Sequence, residues 1–523
     1  MLSNYKEMIT SLMCTFVAAL LISCNSVFTE KADNPPNFII ILADDLGYAD
    51  VSWNNANAYA ETPNLDKLAA QGAILTSCYS ASSMCSPSRA GLLTGRVPTR
   101  VGVHDWIKEI YKKPYSDFHL PTQEITFAEL LKKKNYQTAV IGKWHLNNEF
   151  GTQNKSDPDD QGFDYWFCTP VQANPTHKNP VNFYDNGKFI GQIGTKENPS
   201  FASQIVADKT IEWLNAKHDD LPFMLYIPFH EPHVICDAPE RIKQKYIGRI
   251  KNGEIPLMQD TGQGGLGQAE YYGSIENMDV AIGRILEKLK SDRLMENTII
   301  IFTSDNGPDT NRKYQGRIQS VGETGEFRGR KRWLLEGGIR QATIIYWNGV
   351  LKPGTKIDTP VGHIDLLPTL CDIVQIKPPP DRVIDGSSIL SVLQGKSFDR
   401  NGKNLHWHFH APWDGPQSVM RKDNWVVTAN WDKKTPGGRF DTTKIEVIKT
   451  AKLINFNLYD LRTDPGEQND VKSEHMQLFS DLKQQLIEMH CSVKNECPKS
   501  NQFQWNSQLQ EIVDTKYEAI KEQ

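Results

Sequence analysis

The chain has 523 residues, of which 39% are hydrophobic and 10% aromatic, enough for a sizeable core in one large α/β domain with a smaller companion. Its formal net charge is -5, so nothing global indicates a nucleic-acid-binding protein. Any pocket for anionic substrates must therefore be locally basic.

The first residues are typical of an export signal rather than of a folded element. A lysine near the start is followed by a mostly apolar run over 8–23, which is too short for a stable membrane span. Residues 21–24 read Leu-Ile-Ser-Cys and resemble a bacterial lipobox. We predict a lipoprotein signal peptide over 1–23, lipidation of Cys24, a polar tether over 24–36, and an exported protein held by its lipid in the periplasm or at the cell surface. A plain cleaved signal and a short signal anchor remain alternatives.

Short apolar runs alternate with helical patterns along the next part of the chain. Runs at 37–43, 137–141, 222–228 and 298–303 predict strands that are buried on both faces. Helical spacing of apolar residues predicts helices that begin at Thr62 and that cover 126–135 and 271–290. This alternation predicts a mostly parallel sheet flanked by helices.

Polar side chains follow the ends of these predicted strands. They are Asp44, Lys143, His233 and Asp305. Ligands of parallel sheets bind beyond the carboxyl ends of the strands. We therefore expect these four residues, which are far apart in sequence, to share one site.

Residues 84–96 form the most informative string, Met-Cys-Ser-Pro-Ser-Arg-Ala-Gly-Leu-Leu-Thr-Gly-Arg. A helix that starts near Ser86 places Arg89 one turn after Cys85. The string resembles the signature of type I sulfatases, whose cysteine is oxidised to formylglycine by a separate maturation enzyme. The hydrated aldehyde carries two hydroxyls, of which one attacks sulfur and the other later expels sulfate. For a bare Cys-x-Pro string, a buried free thiol would be the better interpretation.

The resemblance implies an alkaline-phosphatase-like fold. It has a large domain with a central, mostly parallel sheet flanked by helices, and a smaller C-terminal subdomain with a short antiparallel sheet and a helix. We place the catalytic domain at 37–380 and the C-terminal subdomain at 381–523. The pattern agrees, because short aromatic strands begin near Asn404 and a last helix is predicted over 474–489.

The acidic turns predict a metal site. Asp44, Asp45, Asp305 and Asn306 offer three carboxylates and an amide oxygen, a set that suits Ca²⁺ or Mg²⁺ better than zinc. The resemblance implies one Ca²⁺ at these positions, with the formylglycine from Cys85 and the sulfate oxygens completing the coordination.

The resemblance also assigns catalytic roles to residues near the cysteine and after the second predicted strand. Arg89 would steady the diol and the metal's carboxylates. Lys143 would bind sulfate, and His145 would hydrogen-bond the diol and help to deprotonate it. Alternate residues of an extended loop face one side, which would bring Lys143 and His145 into the same pocket.

Two further positions match residues that contact the leaving group. His233 would contact the leaving-group oxygen, with His230 as the competing candidate; an imidazole can act there as acid or base. Lys331 would bind sulfate and the same oxygen. Arg330 and Arg332 flank it, so the register of this match is open.

The features of the sequence that indicate the substrate are less specific than the motifs of the catalytic site. His104 and Asp105, in the string Val-Gly-Val-His-Asp-Trp, are candidates for lining the pocket, and 406–410 with Trp413 predict an aromatic, imidazole-rich surface that would suit sugar rings. Such residues also complete cores. Because an exported enzyme meets polymers, we expect a sulfated polysaccharide or oligosaccharide as substrate.

Two rival functions stay open. A phosphatase or phosphodiesterase of the same superfamily would usually carry serine or threonine as nucleophile and two zinc ions; Cys85 and the lack of further clustered ligands argue against it. A non-catalytic glycan-binding surface lipoprotein remains possible if Cys85 stays a thiol. Cys491 and Cys497 are a candidate disulfide, with free thiols as the alternative.

Overall fold

The apolar run after Pro36 forms the centre of a large sheet, strand β1 (Asn37–Asp44), and all its residues are buried. Its side chains alternate between two cores: Ile40 and Leu42 pack in one, Ile39 and Ile41 in the other. Both neighbouring strands run parallel to it. The prediction of a strand buried on both faces is confirmed.

The structure is a computed structural model, and it describes residues 35–108, 119–151, 156–216, 221–310, 312–436 and 442–498. The predicted signal peptide over 1–23, the lipidation of Cys24 and all but the last two residues of the tether lie outside these ranges. Within them, no helix has the length and apolar character needed to cross a membrane.

The large sheet has eleven strands in the order β12-β2-β11-β8-β1-β7-β3-β4-β5-β6, with β13 beside β2. Its centre, β8-β1-β7-β3-β4, is parallel, and antiparallel pairs lie toward both edges. The described strands are β1, β2 (Ala73–Tyr79), β3 (Gln137–Lys143), β4 (Tyr165–Thr169), β5 (Phe183–Asp185), β6 (Lys188–Gly191), β7 (Phe223–Pro232), β8 (Thr298–Ser304), β9 (Lys313–Tyr314), β10 (Arg317–Ile318), β11 (Arg340–Trp347), β12 (Thr355–Ile357), β13 (Val361–Gly362), β14 (Leu405–Phe409), β15 (Gln417–Lys422), β16 (Trp425–Trp431) and β17 (Leu453–Asp460).

Helices cover both faces of this sheet, as predicted. The described helices are α1 (Pro63–Gln71), α2 (Cys85–Thr94), α3 (Pro98–Val101), α4 (Phe127–Lys132), α5 (Ala202–Ala216), α6 (Glu240–Lys251), α7 (Leu266–Ser291), α8 (Glu336–Ile339), α9 (Leu366–Ile373), α10 (Leu390–Leu393), α11 (Thr442–Thr450) and α12 (Met476–Glu496). Helices α1, α5, α6 and α7 pack in the core that contains Ile39, whereas α2, α4 and α9 pack in the core that contains Ile40.

The C-terminal region forms the predicted antiparallel sheet, in the order β14-β15-β16-β17. Leu482 and Leu486 of α12 pack on Met420, Val427 and Leu458 of this sheet. The mostly parallel large sheet, the small antiparallel sheet and the backing helix are therefore confirmed, while the boundary between 380 and 381 stays a prediction.

The aromatic surface predicted around 406–410 is instead a core. Every residue of β14 is buried, and Trp407 packs against Tyr79 of the large sheet. Trp413, just beyond the strand, is exposed. Strand β14 is the edge strand of the small sheet and packs against the large sheet through Trp407, so its rings are removed from solvent and the prediction was wrong for them.

The candidate disulfide is corrected as well. Cys491 and Cys497 are free thiols. Helix α12 runs through Cys491 and ends at Glu496, beyond the predicted end of this helix at 489. Six residues of helix advance about 9 Å along the axis, beyond the Cα–Cα separation of about 4.4–6.8 Å that a disulfide needs.

A buried pair of carboxyl groups lies where the C-terminal region meets the large sheet. Glu336 N–H donates to Glu467 Oε2 at 2.8 Å, and the Tyr79 hydroxyl donates to Glu336 Oε2 at 2.7 Å. Burial, together with the neighbouring Glu336 carboxyl, raises the pKa of Glu467 from 4.5 to about 8. A carboxyl whose pKa is raised on folding favours the fold while it is protonated. Its contribution is therefore complete below pH 4.5 and is lost as the pH rises through about 8.

Replacing Glu467 by glutamine is expected to remove part of the decrease in stability that accompanies rising pH. Between about pH 5 and about pH 9, the free energy of unfolding of Glu467→Gln should rise relative to the parent protein by at least about 1.4 kcal/mol, the equivalent of one pKa unit. Denaturant unfolding at both pH values measures this difference. The exposed Glu474→Gln variant is the control and should follow the parent profile. Parallel profiles for Glu467→Gln and the parent protein would refute the assignment.

Candidate active site

Four neighbouring strands deliver their terminal residues to one edge of the large sheet. Asp44 ends β1, Lys143 ends β3, His233 follows β7 and Asp305 follows β8. Gly142 permits a close approach there, since a Cβ at this position would lie 1.9 Å from the carbonyl oxygen of Pro228 in β7. The predicted convergence of these residues at the strand ends is what the structure contains.

Helix α2 brings Cys85 and Arg89 to the same edge. The helix begins at Cys85, and all ten of its residues are buried. One turn later, Arg89 donates from Nε and Nη2 to Asp305 Oδ2 at 3.0 and 2.8 Å. Its Nη1 donates to the carbonyl oxygen of Lys143 at 2.8 Å, so the guanidinium ties the cysteine helix to two strand ends.

Three carboxylates in this cluster are each paired with a cation. Lys143 Nζ donates to Asp44 Oδ2 at 2.5 Å. Lys331 Nζ donates to both oxygens of Asp45 at 2.6 and 2.7 Å, and Arg89 holds Asp305. Buried charges of one sign are costly unless they are paired in this way. The cluster is therefore electrically balanced before any ligand enters.

The donor set fits a divalent cation. One ligand atom from each of Asp44, Asp45, Cys85 and Asp305 lies within 4.8 Å of all the others. Asn306 donates from Nδ2 to Asp45 Oδ1 at 2.7 Å, which leaves its Oδ1 as an acceptor. Asn306 Oδ1 and Asp44 Oδ1 are buried and accept no hydrogen bond in the described structure. Buried oxygens in this state suit a hard, oxygen-liganded ion such as Ca²⁺ or Mg²⁺.

His145 lies in the site as a neutral imidazole. The backbone at His145 is left-handed, with φ of 58°, so the loop after Lys143 is not extended as expected. Its Nε2–H donates to the carbonyl oxygen of Ile107 at 2.8 Å, and its buried Nδ1 has no partner among the described residues. Burial, reinforced by Lys143 and Arg89, holds the pKa of His145 well below its usual value. The neutral ring therefore presents Nδ1 as a hydrogen-bond acceptor.

The structure separates His233 from His230. His233 Nε2 lies 3.7 Å from Asp45 Oδ2, and its Nδ1–H donates to the carbonyl oxygen of Val234. His230 instead accepts a hydrogen bond at Nδ1 from Ala173 N–H at 3.1 Å. His233 is therefore the histidine at the carboxylate cluster. At 8% exposure it is also the most accessible member of the cluster, and Lys331 is next at 3%.

Of the three consecutive basic residues, the loop brings Lys331 to the acidic cluster. Lys331 contacts Asp45, whereas Arg330 donates to the carbonyl oxygens of Asp309 and Gly322. Arg332 points to a tryptophan ring outside the cluster. Burial would lower the pKa of Lys331, but the ion pair with Asp45 outweighs it, so the pKa is raised and the ammonium stays charged.

Comparison with known proteins identifies the family. The family model described as Sulfatase matches residues 36–376, and the model described as N-sulphoglucosamine sulphohydrolase, C-terminal, matches residues 322–492. The mouse N-acetylgalactosamine-6-sulfatase is 30% identical, covering 87% of this chain and 86% of the relative. The chain belongs to the sulfatase family. It is a sulfatase of type I and hydrolyses sulfate esters.

Other relatives of this sulfatase differ widely in the substrates that their names give. Human steryl-sulfatase is 29% identical, with 92% of each chain covered. The crystal structure of Ps i-CgsB in complex with k-i-k-neocarrahexaose has a TM-score of 0.70 and 21% identity, covering 92% of this chain and 98% of that one. At that identity it shows the shared fold alone. Family members generally use a formylglycine and a divalent metal ion, and the buried acidic cluster of this sulfatase is suited to the metal.

The unmodified Cys85 thiol of the sulfatase would be a poor nucleophile. Burial raises the pKa of Cys85 well above its ordinary value, and the nearby Lys331 and Lys143 only partly offset this. A thiol attacks as its thiolate, which is scarce when the pKa is high. The unmodified Cys85 side chain is therefore poorly suited to nucleophilic attack at this position of the pocket.

Two predicted substrate residues contact groups outside the acidic cluster. His104 is buried, and its ring packs edge-on against His410 at the junction with the small sheet. Asp105 accepts a hydrogen bond from Trp106 N–H at 2.8 Å. Their substrate roles stay predictions. The sequence reasoning did not use the carbonyl of Ile107, because a backbone group carries no sequence signal.

Proposed function

We propose that this sulfatase removes sulfate from sulfated oligosaccharides or polysaccharides, with a formylglycine made from Cys85 as nucleophile and one Ca²⁺ as cofactor. The balanced cluster of three carboxylates and three cations around Cys85 carries this proposal. Adding a divalent cation gives the neutral cluster a net positive charge, which suits binding of the anionic sulfate ester. The substrate class is supported by the sugar in the name of the relative N-acetylgalactosamine-6-sulfatase and by the structural neighbour in complex with k-i-k-neocarrahexaose.

We propose that Asp44, Asp45, Asp305 and Asn306 hold the cation together with residue 85. When bound there, Ca²⁺ would lower the pKa of the attacking hydroxyl and neutralise sulfate oxygens. Arg89 keeps Asp305 oriented through its paired hydrogen bonds. Formation of the aldehyde requires a formylglycine-generating maturation enzyme as a partner.

The remaining roles follow from access and protonation state. Lys143 and Lys331 would exchange their present carboxylate contacts for sulfate oxygens, because both ammonium groups border the cluster. His145 would take the hydroxyl proton at Nδ1 when sulfate leaves. His233 and Lys331, the most exposed members of the cluster, would meet the leaving-group oxygen. The sugar therefore enters on their side.

Location remains part of the same proposal. We infer that the chain is exported and anchored by a lipid on Cys24, since the sequence at 21–24 resembles a lipobox and precedes a polar stretch. An enzyme at the cell surface or in the periplasm would meet polymeric substrates directly.

The proposed function is tested by measuring free sulfate released from sulfated glycans by protein made in a host with a maturation enzyme. Matched phosphate and sulfate monoesters of one alcohol separate the two rival chemistries. We expect sulfate release from the glycans and rates on the sulfate monoester well above those on the phosphate monoester. A preference for phosphate, or no release from any sulfate ester, would contradict the proposal.

Removal of Ca²⁺ is expected to lower thermal stability. A ligand at about 100 times its Kd adds about 2.7 kcal/mol to the free energy of unfolding, so chelation should lower Tm and added Ca²⁺ should restore it. Asp305→Asn should abolish this Ca²⁺-dependent shift. Asp279→Asn removes an equally buried carboxylate that binds the start of α1, and it should keep the shift. A shift that survives in Asp305→Asn would place the cation elsewhere.

A further inference from the structure

Two tryptophans that play no part in the chemistry above lie beside Lys331. The ring centroids of Trp333 and Trp413 are 5.2 Å apart with a 45° angle between the planes. Trp413 is 59% exposed, more than any other tryptophan in the described residues, while Trp333 is half-buried beneath it. An exposed ring supported by a second ring offers a rigid apolar face of the kind that stacks on sugars.

These rings are fixed to the catalytic cluster through the backbone. Arg332 N–H donates to the carbonyl oxygen of Ser83 at 3.0 Å, two residues before Cys85. Trp413 N–H donates to the carbonyl oxygen of Arg332 at 3.1 Å. Arg332 has a left-handed backbone with φ of 77°, which a non-glycine residue adopts only where the surroundings enforce it. The aromatic pair therefore has a defined position next to the entrance that Lys331 and His233 mark.

The side chain of Arg332 places a positive charge close to the two tryptophans. The Arg332 guanidinium lies over the ring of Trp106 at 6.0 Å from its centroid, and Lys108 Nζ lies 5.7 Å from that centroid. In the part of the chain that the structure describes, the Arg332 guanidinium forms no ion pair and no hydrogen bond. Asp105 influences it electrostatically without an ion-pair contact. A planar guanidinium in this state is suited to paired hydrogen bonds with a carboxylate or a sulfate.

We propose that Trp106, Arg332, Trp333 and Trp413 form a rim subsite for the sugar next to the one that loses sulfate. The neighbouring sugar stacks on Trp413, and an anionic substituent on it binds Arg332. The inference rests on the proposed function and narrows it: the substrate is an oligosaccharide with negative charge on two adjacent sugars. A sterol or a simple aryl sulfate would leave the subsite unused.

Calorimetry measures the binding of sulfated sugars to the Cys85→Ala variant in the presence of Ca²⁺. This variant lacks the proposed nucleophile, so the sugars are not hydrolysed during the measurement. The probes are 6-sulfated N-acetylgalactosamine, a chondroitin 6-sulfate tetrasaccharide, its carboxyl-reduced derivative, and that derivative sulfated again on the neighbouring ring. We expect Trp413→Ala to weaken tetrasaccharide binding about tenfold, the scale of one aromatic contact, and monosaccharide binding hardly at all. Arg332→Gln should abolish the preference for the tetrasaccharides with an anionic neighbour. The last two probes show whether carboxylate or sulfate is the preferred group.

Two control variants match these changes away from the rim. Arg293→Gln alters an exposed arginine that, like Arg332, has a left-handed backbone, and Phe189→Ala removes an exposed ring on edge strand β6. Both should bind all probes like the parent. Unchanged tetrasaccharide affinity in Trp413→Ala and Arg332→Gln would overturn the subsite, as would an equal loss for monosaccharide and tetrasaccharide. Sulfate release by the mature enzyme is measured separately, so the proposed function can stand when the subsite fails.

Discussion

Replacing Cys85 by alanine is expected to abolish sulfate release while the fold stays intact. Cys85 is the first residue of α2 and is 1% exposed, and its Sγ lies 3.8 Å from Asp45 Oδ1. Loss of the nucleophile in a covalent mechanism leaves only substrate binding, so we expect a fall in kcat of at least about 10³-fold. Initial rates of sulfate release measure this fall, and circular dichroism verifies the fold.

Cys78→Ala is the matched control for this experiment. Cys78 is another buried thiol, in β2, and it is a free cysteine like Cys85. Its removal should cost some stability through a small cavity and leave the rate of sulfate release nearly unchanged. Full activity in Cys85→Ala would show that the nucleophile lies elsewhere.

Lys331→Ala is expected to lower kcat/KM by about 10²–10³-fold, the usual effect of removing one group that stabilises transition-state charge. The ammonium of Lys331 touches both oxygens of Asp45 and borders the open side of the cluster. Its raised pKa keeps it charged, so it can bind the sulfate and the leaving-group oxygen. Lys331→Arg keeps the charge and should recover part of the rate.

The control for Lys331 is a lysine in an ion pair on another face. Lys245 of α6 donates to Glu61 Oε2 at 2.9 Å, and Lys245→Ala should leave sulfate release unchanged. If Lys331→Ala kept the parent value of kcat/KM, while Arg330 or Arg332 variants lost it, the register of this loop would have to be reassigned.

Much of the site could be predicted because it depends on local rules. Buried apolar strands end at Asp44, at Lys143 and just before Asp305, and parallel strands bring such ends together. The spacing of Cys85 and Arg89 is one helical turn, and α2 begins at the cysteine. Predicting these features requires only the periodicity of apolar residues and the topology of a parallel sheet.

Other features depend on contacts between distant segments. The position of Lys331 depends on long-range backbone contacts of its loop: Lys331 N–H donates to the carbonyl oxygen of Pro308 at 3.0 Å, and Arg332 N–H donates to that of Ser83 at 3.0 Å. The tautomer of His145 is set by the backbone oxygen of Ile107. None of these contacts has a pattern in the sequence.

Composition alone misplaced two C-terminal features. Alternating histidines and aromatic residues in β14 are compatible with either a surface or a core. Their burial, with Trp407 packed against Tyr79, shows that they form a core. The last helix continues to Glu496 and so removes the loop that would have allowed a disulfide.

The proposed catalysis depends on a formylglycine at residue 85 of the active protein. The most direct test is the mass of the peptide containing residue 85, from protein made in a host with the maturation enzyme. We expect a mass about 18 Da below that of the cysteine peptide, whereas ordinary thiol oxidation adds oxygen and raises the mass. An unmodified thiol in every copy of a preparation that releases sulfate would contradict it.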